Sequence, residues 1–370
     1  MCWLEATYLI RSTPEQIEAR AQALAIEQSL EMPPEAVQQP WILTQVLAQV
    51  ASITLTEKDT YKVVLRLALE TTAKDPIGLF NGLFGNCSLQ EDVWLQDVEL
   101  PGDLLEAFPG PRFGIAGLRR LTGVYHRALT CTALKPQGLS PNELARLAYT
   151  FALGGIDIVK DDHNLTNQSY APFAQRVPAI ARAVAQANAE TGRQTLYAPM
   201  LAGSPKKLAA QLEVARSEGI RVALVAPMLV GLPVFYELAQ EAGVALLAHP
   251  AFAGNRMAPS LFLGKLFRLL GADASIFPNY GGRFAYSPQE CQLLAQNLRN
   301  PWGPLQPALP VPAGGMTVER VDELLAFYGP DSMLLIGGNL LAAREELLER
   351  TRRFVERVAA RSAQPSQEAP

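Results

Sequence analysis

Short apolar runs separated by amphipathic stretches organise most of this chain. Near the start, LEATYLI (4–10) alternates apolar and polar residues as a half-buried strand does. Pro14 then opens PEQIEARAQALAIEQSLE, in which Ile17, Ala21, Leu24 and Ala25 recur at helical spacing. YKVVLRLALE (61–70) reads as a second strand, and GLFNGLFGN (78–86) has the apolar-plus-glycine texture of a turn-rich packed segment. Strand, helix and strand before residue 100 predict an open α+β sandwich.

From about residue 128 the rhythm changes. Eight apolar runs end in polar, Gly or Pro residues: 128–136, 155–162, 194–202, 221–229, 244–250, 273–279, 306–315 and 332–339. Amphipathic stretches lie between them, most opened by Ser, Thr or Pro and several closed by Gly, the punctuation of helices. Eight strand-like runs with intervening helices predict a closed (β/α)8 TIM barrel. An open doubly wound sheet is the competing arrangement, and it more often has five to seven strands. The fold class is therefore α/β, a C-terminal barrel preceded by an α+β domain. Residues 1–120 form the N-terminal domain and 121–357 the barrel, with 358–370, polar and Pro-rich, expected to be a disordered tail.

Composition narrows the function. A chain of 370 residues has room for a barrel of roughly 250 residues and one further domain of about 100. Its net charge is −4, with Lys+Arg 32 against Asp+Glu 36, so it lacks the broad basic face that binding nucleic acid demands. A small-molecule substrate is the better expectation. No stretch approaches the roughly 20 apolar residues that span a bilayer, and the first residues lack a secretory pattern, so a cytoplasmic protein with no membrane partner is expected. The four cysteines are scattered without CxxC spacing, which argues against a zinc site or a disulfide framework.

In a barrel the chemistry sits where the strands end. The first run ends in Lys135-Pro136 and the second in Lys160-Asp161-Asp162-His163. The fifth ends in His249-Pro250, the sixth runs on to Arg283, the seventh ends in Gly314-Gly315 and the eighth in Gly337-Gly338. Strand alternation puts Lys160 and Asp162 on one side with His163 just beyond, so the three could share a cation. A lysine paired with acids at a strand end is the plainer alternative. Lys135, desolvated among apolar groups, suits a general base, although such a stem can also reach solvent. His249 suits proton transfer or a hydrogen bond to a substrate oxygen. Paired glycines after the last two strands suit a phosphate, because absent side chains let backbone N–H groups approach an anion.

These residues, in this order, resemble the ribulose-bisphosphate carboxylase large-chain superfamily. The resemblance rests on ATYLI and AIEQS near the start, GLFGN (82–86), GPRFGIAGLRRLTGV (110–124), ALKPQGLSP (133–141), GGIDIVKDDHNLTNQ (154–168) and the late glycine pairs. It implies a ferredoxin-like N-terminal domain, and a homodimer or assembly of dimers in which Glu27 and Asn86 reach across to the partner's site. It implies Mg²⁺ held by Lys160, carbamylated by CO2, with Asp162 and a third ligand. It also implies Lys135 as the proton-abstracting base.

The departures matter as much. Gln137 replaces a second lysine, Arg283 replaces the mobile-loop lysine, and Met32-Pro33 replace Thr-Trp. Pro250 and Ile276 stand where an arginine and a histidine would hold a second phosphate, so one phosphate is expected and CO2 fixation is not. His163 replaces the glutamate ligand, which is expected to weaken Mg²⁺ or favour Mn²⁺, Zn²⁺ or no metal. The chain thus resembles the non-carboxylating form IV, the RuBisCO-like proteins. The leading expectation is a 3-oxo-isoapionate 4-phosphate decarboxylase or transcarboxylase/hydrolase of apiose catabolism, with Arg283 binding the substrate carboxylate. The alternatives are a methionine-salvage 2,3-diketo-5-methylthiopentyl-1-phosphate enolase, a 5-methylthioribulose-1-phosphate isomerase, and a non-catalytic binding protein.

Overall fold

Residues 2–362 are described in a computed structural model of the chain, and they divide into two compact units. Of the described residues, unit one comprises 2–109, 254–262 and 302–305, and unit two the others. The helix Gly114–Thr122 falls in unit two, where Ile115 and Leu118 join the barrel core, so the division lies near residue 110 and not after 120. A final helix, Leu347–Ser362, continues past 357, where the tail was expected to begin. The rest of that expected tail, 363–370, lies outside the described residues.

Unit one is a four-stranded antiparallel sheet built from β1 (Trp3–Arg11), β2 (Gln49–Glu57), β3 (Thr60–Ala68) and β4 (Val93–Glu99). Helices Ile17–Glu27 and Pro76–Phe84 interrupt them in the order β-α-β-β-α-β, and the sheet runs β2-β3-β1-β4, which is the ferredoxin-like arrangement. Alternation in β1 sends Leu4, Ala6, Tyr8 and Ile10 into the core, as LEATYLI predicts. Ile17, Ala21, Leu24 and Ala25 are the buried face of the first helix.

GLFNGLFGN proves to be helical rather than turn-rich. The Asp75 side chain accepts the backbone N–H groups of Ile77 and Gly78, and Pro76 occupies the first turn, where its missing N–H costs nothing. Gly78 is obligatory here, because a Cβ would lie 2.2 Å from the Thr72 carbonyl oxygen.

Unit two contains the eight expected strand regions: β5 (Leu129–Leu134), β6 (Ile158–Asp161), β7 with β8 (Leu196–Ala198 and Met200–Leu201), β9 (Val222–Val225), β10 (Ala245–Ala248), β11 (Ala274–Pro278), β12 (Leu309–Ala313) and β13 (Met333–Leu335). All pairings are parallel, in two ladders, β13-β5-β6-β7 and β8-β9-β10-β11-β12. The ladders meet where Pro199 divides β7 from β8. Proline has no N–H to offer a ladder, but its carbonyl still accepts from Leu224 N–H at 2.9 Å. On the other side β12 lies beside β13, which completes the TIM-barrel order. The fourth apolar run predicts strand through residue 229, yet the strand ends at Val225 and Pro227–Val230 turns into a helix. Cys131, Ile158, Leu224, Leu247, Ile276 and Val311 are among the side chains that fill the interior. Such filling makes the barrel a packed core whose strand ends present the chemistry.

Candidate active site

Lys135 is the first residue beyond β5, and its ammonium pairs with the Asp162 carboxylate, just beyond β6. Asp162 also accepts the Asn164 N–H at 3.0 Å. Burial pushes its carboxyl pKa up, but Lys135 and this N–H outweigh burial and hold it below the ordinary value. Asp162 is therefore a carboxylate at neutral pH.

Lys160 is only 3% exposed, and its Nζ donates to the Asp161 carbonyl at 3.0 Å. Burial lowers its pKa, because a charged amine loses its hydration there. A lysine eased toward the neutral amine is the form that can take up CO2, so Lys160 fits carbamylation.

His163 and His249 come together across the mouth, from the ends of β6 and β10. Their rings stack with centroids 4.1 Å apart and planes 11° from parallel. Two imidazolium rings would repel at that distance, and both pKa values lie below the ordinary one. For His249, burial first and then the charges of Lys160, His163 and Lys135 bring it down to about 2. Its Nδ1 accepts the Ala251 N–H at 3.1 Å, so the neutral ring carries its proton on Nε2. His163 Nδ1 stands 3.6 Å from Asp162 Oδ1, too far for a hydrogen bond.

Asp161, the odd member of the KDDH run, points elsewhere. Fully buried, it accepts from Arg176 Nε at 3.1 Å, Tyr197 Oη at 2.8 Å and Met200 N–H at 3.0 Å. These contacts fix the end of β6 against β7, β8 and the helix Phe173–Thr191. Arg176 and Tyr197 did not stand out in the sequence. The available signal was an arginine on the face of that helix that also carries Phe173, Val177 and Ile180.

The glycine pair 314–315 has φ of 85° and 100° and packs against loop 279–284. Arg283 N–H donates to the Gly314 carbonyl at 2.9 Å, and a Cβ on Gly282 would lie 2.1 Å from that same oxygen. At Gly338 a Cβ would meet nothing within 4 Å, which leaves open space beside the backbone. Arg283 itself is exposed, its guanidinium 5.7 Å above the Phe284 ring and without a bond to the Lys135–Asp162 pair. Ile276 is buried in the barrel core and brings no cation. In unit one, Asn86 Nδ2 donates to Glu27 Oε1 at 2.9 Å, so those two residues do meet.

Among the described residues no three His, Cys, Asp or Glu side chains are grouped to hold a metal ion. Asp162 and His163 supply two donors, and a carbamate on Lys160 would add an anionic oxygen. With that modification the donor set fits a divalent cation. The imidazole makes it less suited to Mg²⁺, which prefers oxygen.

Residues 114–279 match the family described as ribulose bisphosphate carboxylase large chain, catalytic domain. Ribulose bisphosphate carboxylase-like protein 1 of Rhodopseudomonas palustris is 52% identical over 355 residues, 95% of this chain and 96% of that protein. The chain belongs to the RuBisCO-like proteins. A further member, a 5-methylthioribulose-1-phosphate isomerase of Rhodospirillum rubrum, is 51% identical over 96% of both chains. The crystal structure of a RuBisCO-like protein from Rhodopseudomonas palustris superposes with a TM-score of 0.92 at 49% identity, covering 99% of this chain and all of that one. Enzymes thus stand among its relatives, and the named isomerase is one of the alternatives to the leading expectation from sequence. Among the described residues no helix is long and apolar enough to cross a membrane.

Proposed function

We propose that this protein is an isomerase of 5-methylthioribulose 1-phosphate or a closely related methylthio sugar phosphate. The observation that carries the reading is 51% identity, across 96% of both chains, to the Rhodospirillum rubrum protein of that name. The site chemistry agrees with it. Isomerising a ketose phosphate moves a proton between neighbouring carbons through an enediolate, which calls for a base, a donor to the oxygen and an anchor for the phosphate.

Lys135, 40% exposed and paired as an ammonium with Asp162, would first give its proton to solvent, after which the substrate proton is held and moved at its Nζ with Asp162 orienting it. His249 presents Nε2–H to the oxygen on which charge develops. The glycine pairs 314–315 and 337–338 offer backbone N–H groups to one phosphate. In a homodimer, Glu27 and Asn86 of one subunit would reach across to orient the hydroxyls of the substrate held by the other, and Arg283 finds no carboxylate to bind in this substrate. A divalent cation held by carbamylated Lys160, Asp162 and His163 would supply further charge for the enediolate. The protein works as a homodimer or an assembly of dimers, checked by light scattering.

The deciding experiment offers 5-methylthioribulose 1-phosphate and 3-oxo-isoapionate 4-phosphate to the enzyme with Mg²⁺, Mn²⁺ or no metal, with and without bicarbonate. Turnover of the first, with solvent deuterium incorporated and lost in Lys135→Ala, is expected. Turnover of only the carboxylated phosphate, abolished by Arg283→Leu, would reverse the choice. No exchange with either would leave a binding protein.

A further inference from the structure

The segments that follow the barrel strands carry both charged and apolar side chains. Lys135, Asp162 and His163 stand at the ends of β5 and β6. In the segments that follow β9, β10 and β11, consecutive strands of the other ladder, a large apolar side chain is left open: Leu229, in the helix Pro227–Val230, is 58% exposed, Phe252 76% and Phe284 52%. Single exposed apolar residues are ordinary, and what sets Phe252 apart is its place in the turn that follows His249. Phe284 already lies under the Arg283 guanidinium.

Phe252 bears a second cost. Its φ is 64°, in the left-handed region that a bulky residue occupies only when the surroundings hold it there. Those surroundings are tight: Ala251 N–H is bound to His249 Nδ1 at 3.1 Å, and Ala253 N–H to the Pro250 carbonyl at 3.1 Å. The turn that sets the His249 tautomer thus also sets Phe252, three residues on. Strain and exposure together, at a residue built into the turn of a catalytic imidazole, call for an apolar ligand group.

We propose that Phe252 receives the methylthio end of the substrate and thereby sets substrate choice. This rests on the methylthio sugar-phosphate reading above. A polarisable thioether makes favourable contacts with an aromatic ring, whereas a charged tail would lose hydration there without a partner.

The test compares kcat/KM of the full-length enzyme for 5-methylthioribulose 1-phosphate and for 5-deoxyribulose 1-phosphate, which lacks only the methylthio group. Phe252→Ala should lower kcat/KM about tenfold or more for the methylthio substrate and within about twofold for the deoxy one, since a lost apolar contact penalises only the group that made it. Phe252→Gly should lose the same preference while raising Tm, because glycine accepts φ of 64° without strain. Equal losses on both substrates, no loss on either, or a change in subunit number on size exclusion would overturn the assignment. A wild-type enzyme that turns over neither phosphate would sink the isomerase reading itself, a result distinct from any behaviour of the variants.

Discussion

Changing His249 to glutamine keeps an N–H near the position of Nε2, whereas changing it to alanine removes the donor. If His249 acts as a neutral donor to the developing oxyanion, alanine should cost about 10²–10³ in kcat, or roughly 2.7–4 kcal/mol, and glutamine should recover part of that loss. The pH dependence sharpens the test. Burial first, and then the electrostatic influence of Lys160, His163 and Lys135, bring the folded-state pKa to about 2, so the ring stays neutral at every pH where the enzyme is assayed. The profile of kcat/KM should then show no ionisation belonging to His249. Stability should show one. The unfolded imidazole titrates near about 6.5, so below that pH the unfolded chain holds an extra proton at this site and acid favours unfolding. At pH 5 the separation is about 1.5 pH units at about 1.4 kcal/mol each, or roughly 2 kcal/mol. Urea midpoints at pH 7 and pH 5 should therefore fall further apart in the wild type than in His249→Gln. Wild-type kcat in His249→Ala, or an acid limb near pH 6.5 that vanishes in His249→Gln, would refute the reasoning.

Three other perturbations probe the neighbourhood. His163→Glu should tighten Mg²⁺ binding measured by calorimetry, since it replaces an imidazole with carboxylate oxygen, and unchanged affinity would remove residue 163 from the ligand set. Arg176→Met leaves the buried Asp161 without its cation and should cost about 3–5 kcal/mol in urea unfolding, with less than about 1 kcal/mol counting against the pair. Gly282→Ala places a Cβ 2.1 Å from the Gly314 oxygen, so the loop must move. KM for the phosphate substrate should rise several-fold with the fold intact by circular dichroism, and an unchanged KM would detach Gly314-Gly315 from phosphate binding.

The barrel was legible because most of its strands are short, mainly apolar runs, the mark of strands buried on both faces, each followed by polar, Gly or Pro residues. The sheet of unit one was less so. Strand β2 is almost wholly exposed, so QVASITLTE carries no burial pattern, and β4 was passed over although Val93, Leu95 and Val98 are buried. In β4 the partner β1 shifts register between Thr7 and Tyr8, and the clean period of two is broken. Glycines masked the helix Pro76–Phe84, though the Asp75-Pro76 cap announced it. In the site, alternation correctly separated Asp161 from Asp162, but the Lys135–Asp162 pair and the stacking of His163 on His249 needed the folded barrel. Residues 86 positions apart on non-adjacent strands leave no local trace of contact.

Asp161 holds two structural duties one residue away from the chemistry. It ties Tyr197 on β7, Met200 on β8 and Arg176 on the following helix to the end of β6, bridging the break at Pro199. Loosening the catalytic rim therefore means exposing the most deeply buried ion pair of that region. Fraying of the rim ahead of the barrel is correspondingly costly, so on heating, loss of activity and loss of the folded state should arrive as a single event.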